Sequence, residues 1–501
     1  LEATAGKVGF VGIPGIEINA TNMAVAVNQA DGDAKTVIDY SAGATDLSVV
    51  TGTGTELKLD INGYEGELVQ ATGDLNVDLF GFVQVNGGFA VKSAQSEVTL
   101  AKKAGATEGE KVAVDVLTIG ANNVDAFVGV AGGTDNAVGL SVQNIDFALG
   151  LFTSQDDESR SWTALNTTAS SVGFVGLADL LPTVRNLAVS VNQAGKDGDQ
   201  VIDFSGDHAF TIQTSTDTSV DLTMDGAVGE LIRAEGDMTL RISDFVYFDG
   251  RIGYEKYTPA GELTLTDRSH VTANSMLAIT GQGIDAFVGY ADGGIDSSKT
   301  FKAQSDHLYG FGAEGIDFAV LITKTNFASY TTVKAHMDNV ALYGFDAGDF
   351  ELSAQDLSIE VNKAVNGRTI NFIDSFGAQG LVLGSTGAIH MDYTGGDRIG
   401  VFAGNATLII SDFIYFQGSI GFQKISYGAG ELSNTYGRMG TAKGFSIGGD
   451  NIDAFVGYAN GGFDKTKTLT EQASNLYGFG VEDVSFAYLS IDSTGVKYSA
   501  L

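Results

Sequence analysis

Asp125-Ala126-Phe127-Val128-Gly129 returns as Asp285-Ala286-Phe287-Val288-Gly289 and again as Asp453-Ala454-Phe455-Val456-Gly457, with nearly equal steps between the three aspartates. Other markers keep step with it. Val27-Asn28-Gln29-Ala30 recurs as Val191-Asn192-Gln193-Ala194 and, altered, as Val361-Asn362-Lys363-Ala364. The chain therefore holds three copies of one unit, spanning residues 1–164, 165–332 and 333–501. In-line multiplication of a unit builds length or a repeated surface, whereas a catalytic pocket needs to be made once.

Around these markers the apolar residues alternate: Leu57, Leu59 and Ile61; Leu75, Val77 and Leu79; Val220, Leu222 and Met224; Met238, Leu240 and Ile242. A period of two marks strands with one buried face, and sustained helical spacing is nearly missing. The fold class is all-β. Turn cues follow the Val-Asn-Gln-Ala strands at Asp31-Gly32-Asp33, Asp197-Gly198-Asp199 and Asn366-Gly367.

A shorter repeat lies inside the long one. Asn123-Val124-Asp125 resembles Asn144-Ile145-Asp146 a little further on, and Gly283-Ile284-Asp285 resembles Gly315-Ile316-Asp317 across a longer interval. Successive short strands at such spacing predict the coils of an elongated β-solenoid, with tandem β-sandwich domains as the alternative. Polar breaks at 155–160 and 323–326 then separate copies that abut as a stiff rod.

Lys and Arg number 28 against 62 Asp and Glu, a formal charge of −34, which excludes a nucleic-acid partner because phosphates need a basic stripe. The acid is spread along the chain and reads as a solvated, self-repelling surface. Cysteine is absent, so disulfides, thiolate metal sites and cysteine nucleophiles are excluded. No apolar run approaches the roughly 18 residues of a spanning helix, and membrane insertion by that route is not expected.

Site chemistry is sparse. His208, His270, His307, His336 and His390 occupy no matching repeat positions and form no metal-ligand spacing. No cluster of acids with a basic residue interrupts one copy alone, so a polysaccharide-active β-helix enzyme is the least favoured reading and the chain is expected to be no enzyme. The best candidates are the loops after the Asp-Ala-Phe-Val-Gly strands: Ala131-Gly132-Gly133-Thr134-Asp135, Ala291-Asp292-Gly293-Gly294-Ile295-Asp296 and Ala459-Asn460-Gly461-Gly462-Phe463-Asp464. Paired glycines allow a tight fold in which Asp135, Asp292, Asp296, Asn460 and Asp464 could supply oxygens to calcium; the plainer reading is a turn. The aromatic strands Phe80-Gly81-Phe82-Val83, Phe245-Val246-Tyr247-Phe248 and Phe413-Ile414-Tyr415-Phe416 read as core, with Tyr247 and Tyr415 as outward members able to stack on sugars.

Trp162-Thr163-Ala164-Leu165, Val11-Gly12-Ile13-Pro14-Gly15, Val37-Ile38-Asp39-Tyr40, Phe82-Val83-Gln84-Val85-Asn86-Gly87 and Asp125-Ala126-Phe127-Val128-Gly129 together resemble the long repeats of giant bacterial exoproteins, secreted or surface-attached and adhesin-like. The resemblance implies an extracellular or cell-surface location and a structural or adhesive role, and it transfers no catalytic residues. Tyr498-Ser499-Ala500-Leu501 aligns with Trp162-Thr163-Ala164-Leu165, and Leu501 overlaid on Leu1 continues the pattern. The expectation is a window on a longer array. Its partners would be neighbouring repeats or itself, head to tail, acting as a spacer or filament segment; the alternative is a glycan-binding adhesin module.

Overall fold

The computed structural model describes the chain except residues 11–15, 32–35, 42, 44–46, 104–105, 177–179, 197, 260, 346–349, 364, 366, 385–386, 388, 428 and 431. The Val11 to Gly15 string and the turn residues Gly32, Asp33, Asp197 and Asn366 thus lie outside the described residues. Strand accounts for 67 % of the chain and helix for 5 %, so the fold is all-β as the alternation requires. The chain divides into two compact units. The first comprises Leu1–Ala178, Pro182–Gly236 and Glu255–Ala260, and the second the remainder, so the units do not follow the sequence repeat.

In the first unit the long strands are β1 (Glu2–Phe10), β2 (Ile16–Asn28), β5 (Leu68–Leu79), β6 (Val83–Thr99), β7 (Lys111–Val130), β8 (Val138–Ser154), β9 (Ser161–Val175) and β10 (Leu180–Ala194). Each pairs antiparallel with the next, as one meander. Between β2 and β5 an insertion carries the hairpin β3 (Ser48–Gly52) and β4 (Thr55–Lys58), and after β10 a second insertion carries β11 (Phe210–Gln213) and β12 (Ser219–Leu222). The strands β13 (Leu231–Ile242) and β14 (Val246–Tyr257) are divided between the units.

The second unit repeats the plan. After β15 (Glu262–Thr264), the strands β16 (His270–Ala291), β17 (Leu308–Thr325), β18 (Ser329–Tyr343) and β19 (Phe350–Asn362) run antiparallel. An insertion with the helix α1 (Phe372–Phe376) and the hairpin β20 (Leu381–Leu383) and β21 (Ile389–Met391) precedes β22 (Asp397–Ile410) and β23 (Ile414–Tyr427). A short hairpin, β24 (Ser433–Asn434) and β25 (Gly437–Arg438), leads to β26 (Ala442–Ala459), β27 (Leu476–Ser493) and β28 (Val496–Ala500). The meander continues through these strands to β28.

Antiparallel pairing between chain neighbours is not the stack of parallel coils that a solenoid reading predicts. The short repeat has another meaning: its two members face each other across a hairpin. The backbone N–H of Asn123 donates to Asp146 Oδ1 (2.7 Å), and that of Asn144 donates to Asp125 Oδ1 (2.9 Å). Gly283 and Asp317 (2.8 Å) and Gly315 and Asp285 (3.0 Å) repeat the exchange. Asn123, Asn144, Gly283 and Gly315 all have left-handed φ, between 49° and 62°, which Asn and Gly tolerate best. The register shifts there, at Ala121/Val124 and at Gly281/Ile284, so each motif is a bulge that changes which face of the strand later residues occupy. The polar breaks also change meaning. Residues 155–160 form the hairpin turn between β8 and β9, and residues 323–326 run from the end of β17 into its turn to β18, so both lie inside hairpins.

Beside the pairing of β8 with β9 and of β17 with β18, the insertion joins one copy to the next. That of the second copy lays β11 and β12 over β7, β8 and β9, and that of the third lays β21 against β17 and β18. Under the second-copy insertion Phe152 meets Phe204 (6.0 Å between ring centres) and Phe210 (5.2 Å, edge to face). Val114, Phe152, Trp162, Ile202, Phe204, Ile212 and Leu222 are all buried there. Full burial of side chains of this size stabilises by about 1.5–3 kcal/mol each, which makes this layer a principal source of stability. Main-chain bonds fasten it: Ala101 N donates to Val201 O and Asp203 N to Thr99 O, both at 2.8 Å. The recurring Val-Asn-Gln-Ala strand supplies the polar tie, since Asn192 Nδ2 donates to Ile202 O at 2.8 Å.

Candidate functional site: the glycine–aspartate loops, the ring ladders and a groove

The glycines of the loops take the conformations that the sequence predicts. Gly133, Gly293, Gly294, Gly461 and Gly462 have φ between 74° and 90°. Ile295 and Phe463, between the paired glycines and the aspartates, turn inward. Phe463 stacks on Tyr415 at 5.1 Å, while Ile295 joins Tyr247, Phe287, Phe301 and Leu308 in one cluster.

The loop aspartates serve the turn itself. Asp296 Oδ1 accepts from Ser298 N (3.0 Å) and Ser298 Oγ (2.6 Å), and Lys299 Nζ sits 3.0 Å from Oδ2. Asp464 has the same company in Thr466 and Lys467, whose Nζ lies at 2.9 Å. Hydrogen bonds from the hydroxyl residue, then the lysine, hold both carboxyls at a pKa of about 2. Because the folded value is depressed, their stabilisation is present above the ordinary carboxylate range and fades as pH falls through about 2. Asp292 Oδ1 instead accepts from the Tyr290 hydroxyl at 3.3 Å, Asn460 N donates to Asn475 O at 2.8 Å, and Asp135 lies on the shorter first loop. Among the described residues no three His, Asp or Glu side chains are grouped to hold a metal. A calcium ion at Asp296 or Asp464 would have to displace a lysine from Oδ2. If the loops are plain turns, melting should be the same in millimolar calcium and in chelator; a rise in melting temperature with calcium would support the cation reading.

Tyr247 and Tyr415, expected to face outward, are both buried. Burial pushes the Tyr415 hydroxyl up to about 12, and its OH donates to Gln417 Oε1 at 2.5 Å. The outward rings are their neighbours. Phe245, Tyr290 and Tyr309 are exposed and form a ladder, 5.6 Å and 6.4 Å between successive rings. Phe413, Tyr458 and Tyr477 repeat it at 5.9 Å and 6.4 Å. The first copy has Phe82, Val130 and Val138 at these places, all exposed. The signal was present in the strings that end Val-Gly-Tyr-Ala, but only the covering loop decides which ring of the alternation is inside.

The first copy differs in a second way. Its loop between β7 and β8 is short, whereas between β16 and β17 the chain adds the turn Lys302–His307 and the buried Phe301. Where that filling is missing, a groove of about 750 Å³ opens, with Phe127, Val85 and Val142 on its walls and Asp78, Asp125 and Asp135 among its polar groups. Asp78 is held below its usual range by hydrogen bonds from Gln84 and Gly81 N. The shorter interval from Asp125 to Asp146, against that from Asp285 to Asp317, was the sequence trace of this groove. No protein-family model and no curated protein matches the chain.

Proposed function

We propose that the chain is a structural segment of an extracellular bacterial surface protein, a non-catalytic stalk of tandem copies. One observation carries this reading: the insertions of the second and third copies are each buried on strands that belong mainly to the preceding copy, so these copies are locked in series and not strung on linkers. Such a joint resists independent motion of neighbouring copies, which is what a spacer requires. The resemblance to giant exoprotein repeats and the charge of −34 agree with a soluble, self-repelling surface outside the cell. Small-angle scattering tests it: a compact globule of this length would have a radius of gyration of roughly 23 Å. The stalk should exceed that clearly, and a value near it would overturn the reading.

The ring ladders and the groove favour a second reading, a glycan-binding module, because exposed stacked tyrosines and an apolar floor with convergent amide and carboxylate groups suit a sugar. A glycan array separates the two. It should be blank for the stalk, and selective for the adhesin with the signal lost in Tyr290→Ala and Tyr458→Ala.

A further inference from the structure

In the third copy one row of side chains crosses four strands. Ile409 lies opposite Tyr415, Tyr415 opposite Phe455 and Phe455 opposite Gly480, so the four share one face of the sheet. Ile409, Tyr415 and Phe455 are buried there with Leu469, and Phe463 packs against them. The second copy buries Tyr247 and Phe287 with Ile295 and Phe301 in the same way, and Gly312 lies opposite Phe287. In the first copy the row reads Asp78, Gln84, Phe127 and Ser141, paired in the same order and all half-buried. An isoleucine, a tyrosine and a glycine of the third copy thus give way to a carboxylate, an amide and a hydroxyl around one retained phenylalanine.

This exchange is more than the loss of a cover. A side chain at Gly312 would meet Phe301 at 2.7 Å, and one at Gly480 would meet Leu469 at 3.2 Å, so glycine at this place seats the covering residue. Ser141 puts a side chain there, and the floor itself keeps the groove open. Asp78 is held in position, since Gly81 N donates to its Oδ1 at 2.7 Å and Gln84 Nε2 to its Oδ2 at 2.8 Å. A carboxylate offers about four acceptor sites, which leaves capacity for a ligand. Two residues along the same face, Asn86 opposite Asp125 adds a further amide and carboxylate. Every residue that lines the groove is described; its charged groups are Glu17, Asp78, Asp125 and Asp135, and no Lys or Arg is among them. Its 750 Å³ falls within the roughly 300–1,000 Å³ of small-ligand pockets.

We propose that the groove of the first copy binds an amino sugar through its free, protonated amine, with the ammonium on the Asp78 carboxylate, the ring against Phe127, and hydroxyl groups on Gln84, Asn86 and Ser141. The inference rests on the glycan-binding reading and deepens it, since it names the class of sugar and places it in the groove and not on the ring ladders. Charge complementarity selects the class. A site with four carboxylates and no base repels an acidic sugar, and it gives a cationic one a charge-assisted hydrogen bond that a neutral sugar does not form.

Calorimetric titration of the intact chain with a glucosamine disaccharide, both amines free, tests this against the same disaccharide N-acetylated. One site per chain is expected, because the later copies fill the equivalent place. Acetylation should weaken binding by about 10-fold or more, through loss of the charge-assisted hydrogen bond. Asp78→Asn keeps the shape and removes the charge, and should erase the preference for the free amine. Gln84→Tyr restores the residue of the later copies and should fill the groove and abolish binding of both sugars, with circular dichroism confirming that each variant is folded. No binding by the wild type, equal binding of the two sugars, or binding that survives Gln84→Tyr would each overturn the inference. Binding of neutral glycans that is kept in Gln84→Tyr and lost in Tyr290→Ala would uphold the glycan-binding reading while this site fails, so the two failures are distinguishable.

Discussion

Phe204→Ala should destabilise the first unit by about 3–5 kcal/mol, whereas Tyr40→Ala, the matching position one copy earlier, should cost under about 1 kcal/mol. Phe204 is buried against Phe152, and truncation leaves a cavity between the insertion and the sheet that two main-chain bonds from Val201 and Asp203 hold open. Tyr40 has a matching local bond but is only half-buried. The two variants therefore isolate the worth of docking from the worth of the insertion's own fold. Chemical denaturation, with amide exchange at Ala101 and Asp203 as the local reporter, makes the measurement; equal costs would mean that the insertion contributes little by lying on the sheet.

Gln304→Ala should cost about 2–4 kcal/mol, more than its size suggests, because it leaves several main-chain groups without partners. Its Oε1 accepts from Asp296 N at 3.0 Å, while Nε2 donates to Asp296 O at 3.0 Å and to Lys299 O at 3.1 Å. Gln472 does the same for the third-copy loop through Asp464 and Lys467. Gln304→Glu should be as damaging as alanine, since carboxylate oxygens would then face carbonyl oxygens. If the side chain acted by volume alone, the glutamate variant would be tolerated, and limited proteolysis of the loop would separate these outcomes. Loss of the loop would also uncover Phe301 and Ile295, which close the cluster around Tyr247.

The glutamines illustrate how a residue can be silent in sequence and decisive in the fold. Gln304 and Gln472 lie in unremarkable polar stretches, and no spacing rule marks them. Their importance comes from main-chain groups that only the closed loop brings within reach. The aspartates of the same loops were legible as turn-formers because Gly-Gly-x-Asp carries its conformational instruction locally. Their partners, Ser298 with Lys299 and Thr466 with Lys467, follow closely in the chain and belong to the same local signal.

The sequence by itself determined the strand content, the three copies and the tight turns at the paired glycines. Each follows from short-range physics: alternation sets a period of two, and glycine permits the positive φ of the loops. Tertiary structure alone decided the pairing of strands, because the same alternation serves parallel coils and an antiparallel meander equally well. It also decided that Tyr247 and Tyr415 face inward, since the loops bearing Ile295 and Phe463, distant in the chain, supply the cover. The placement of the second and third insertions on the strands of the copy before was likewise invisible, for it depends on burial between residues such as Phe152 and Phe204 that are far apart in the chain and become neighbours only when the sheet has formed.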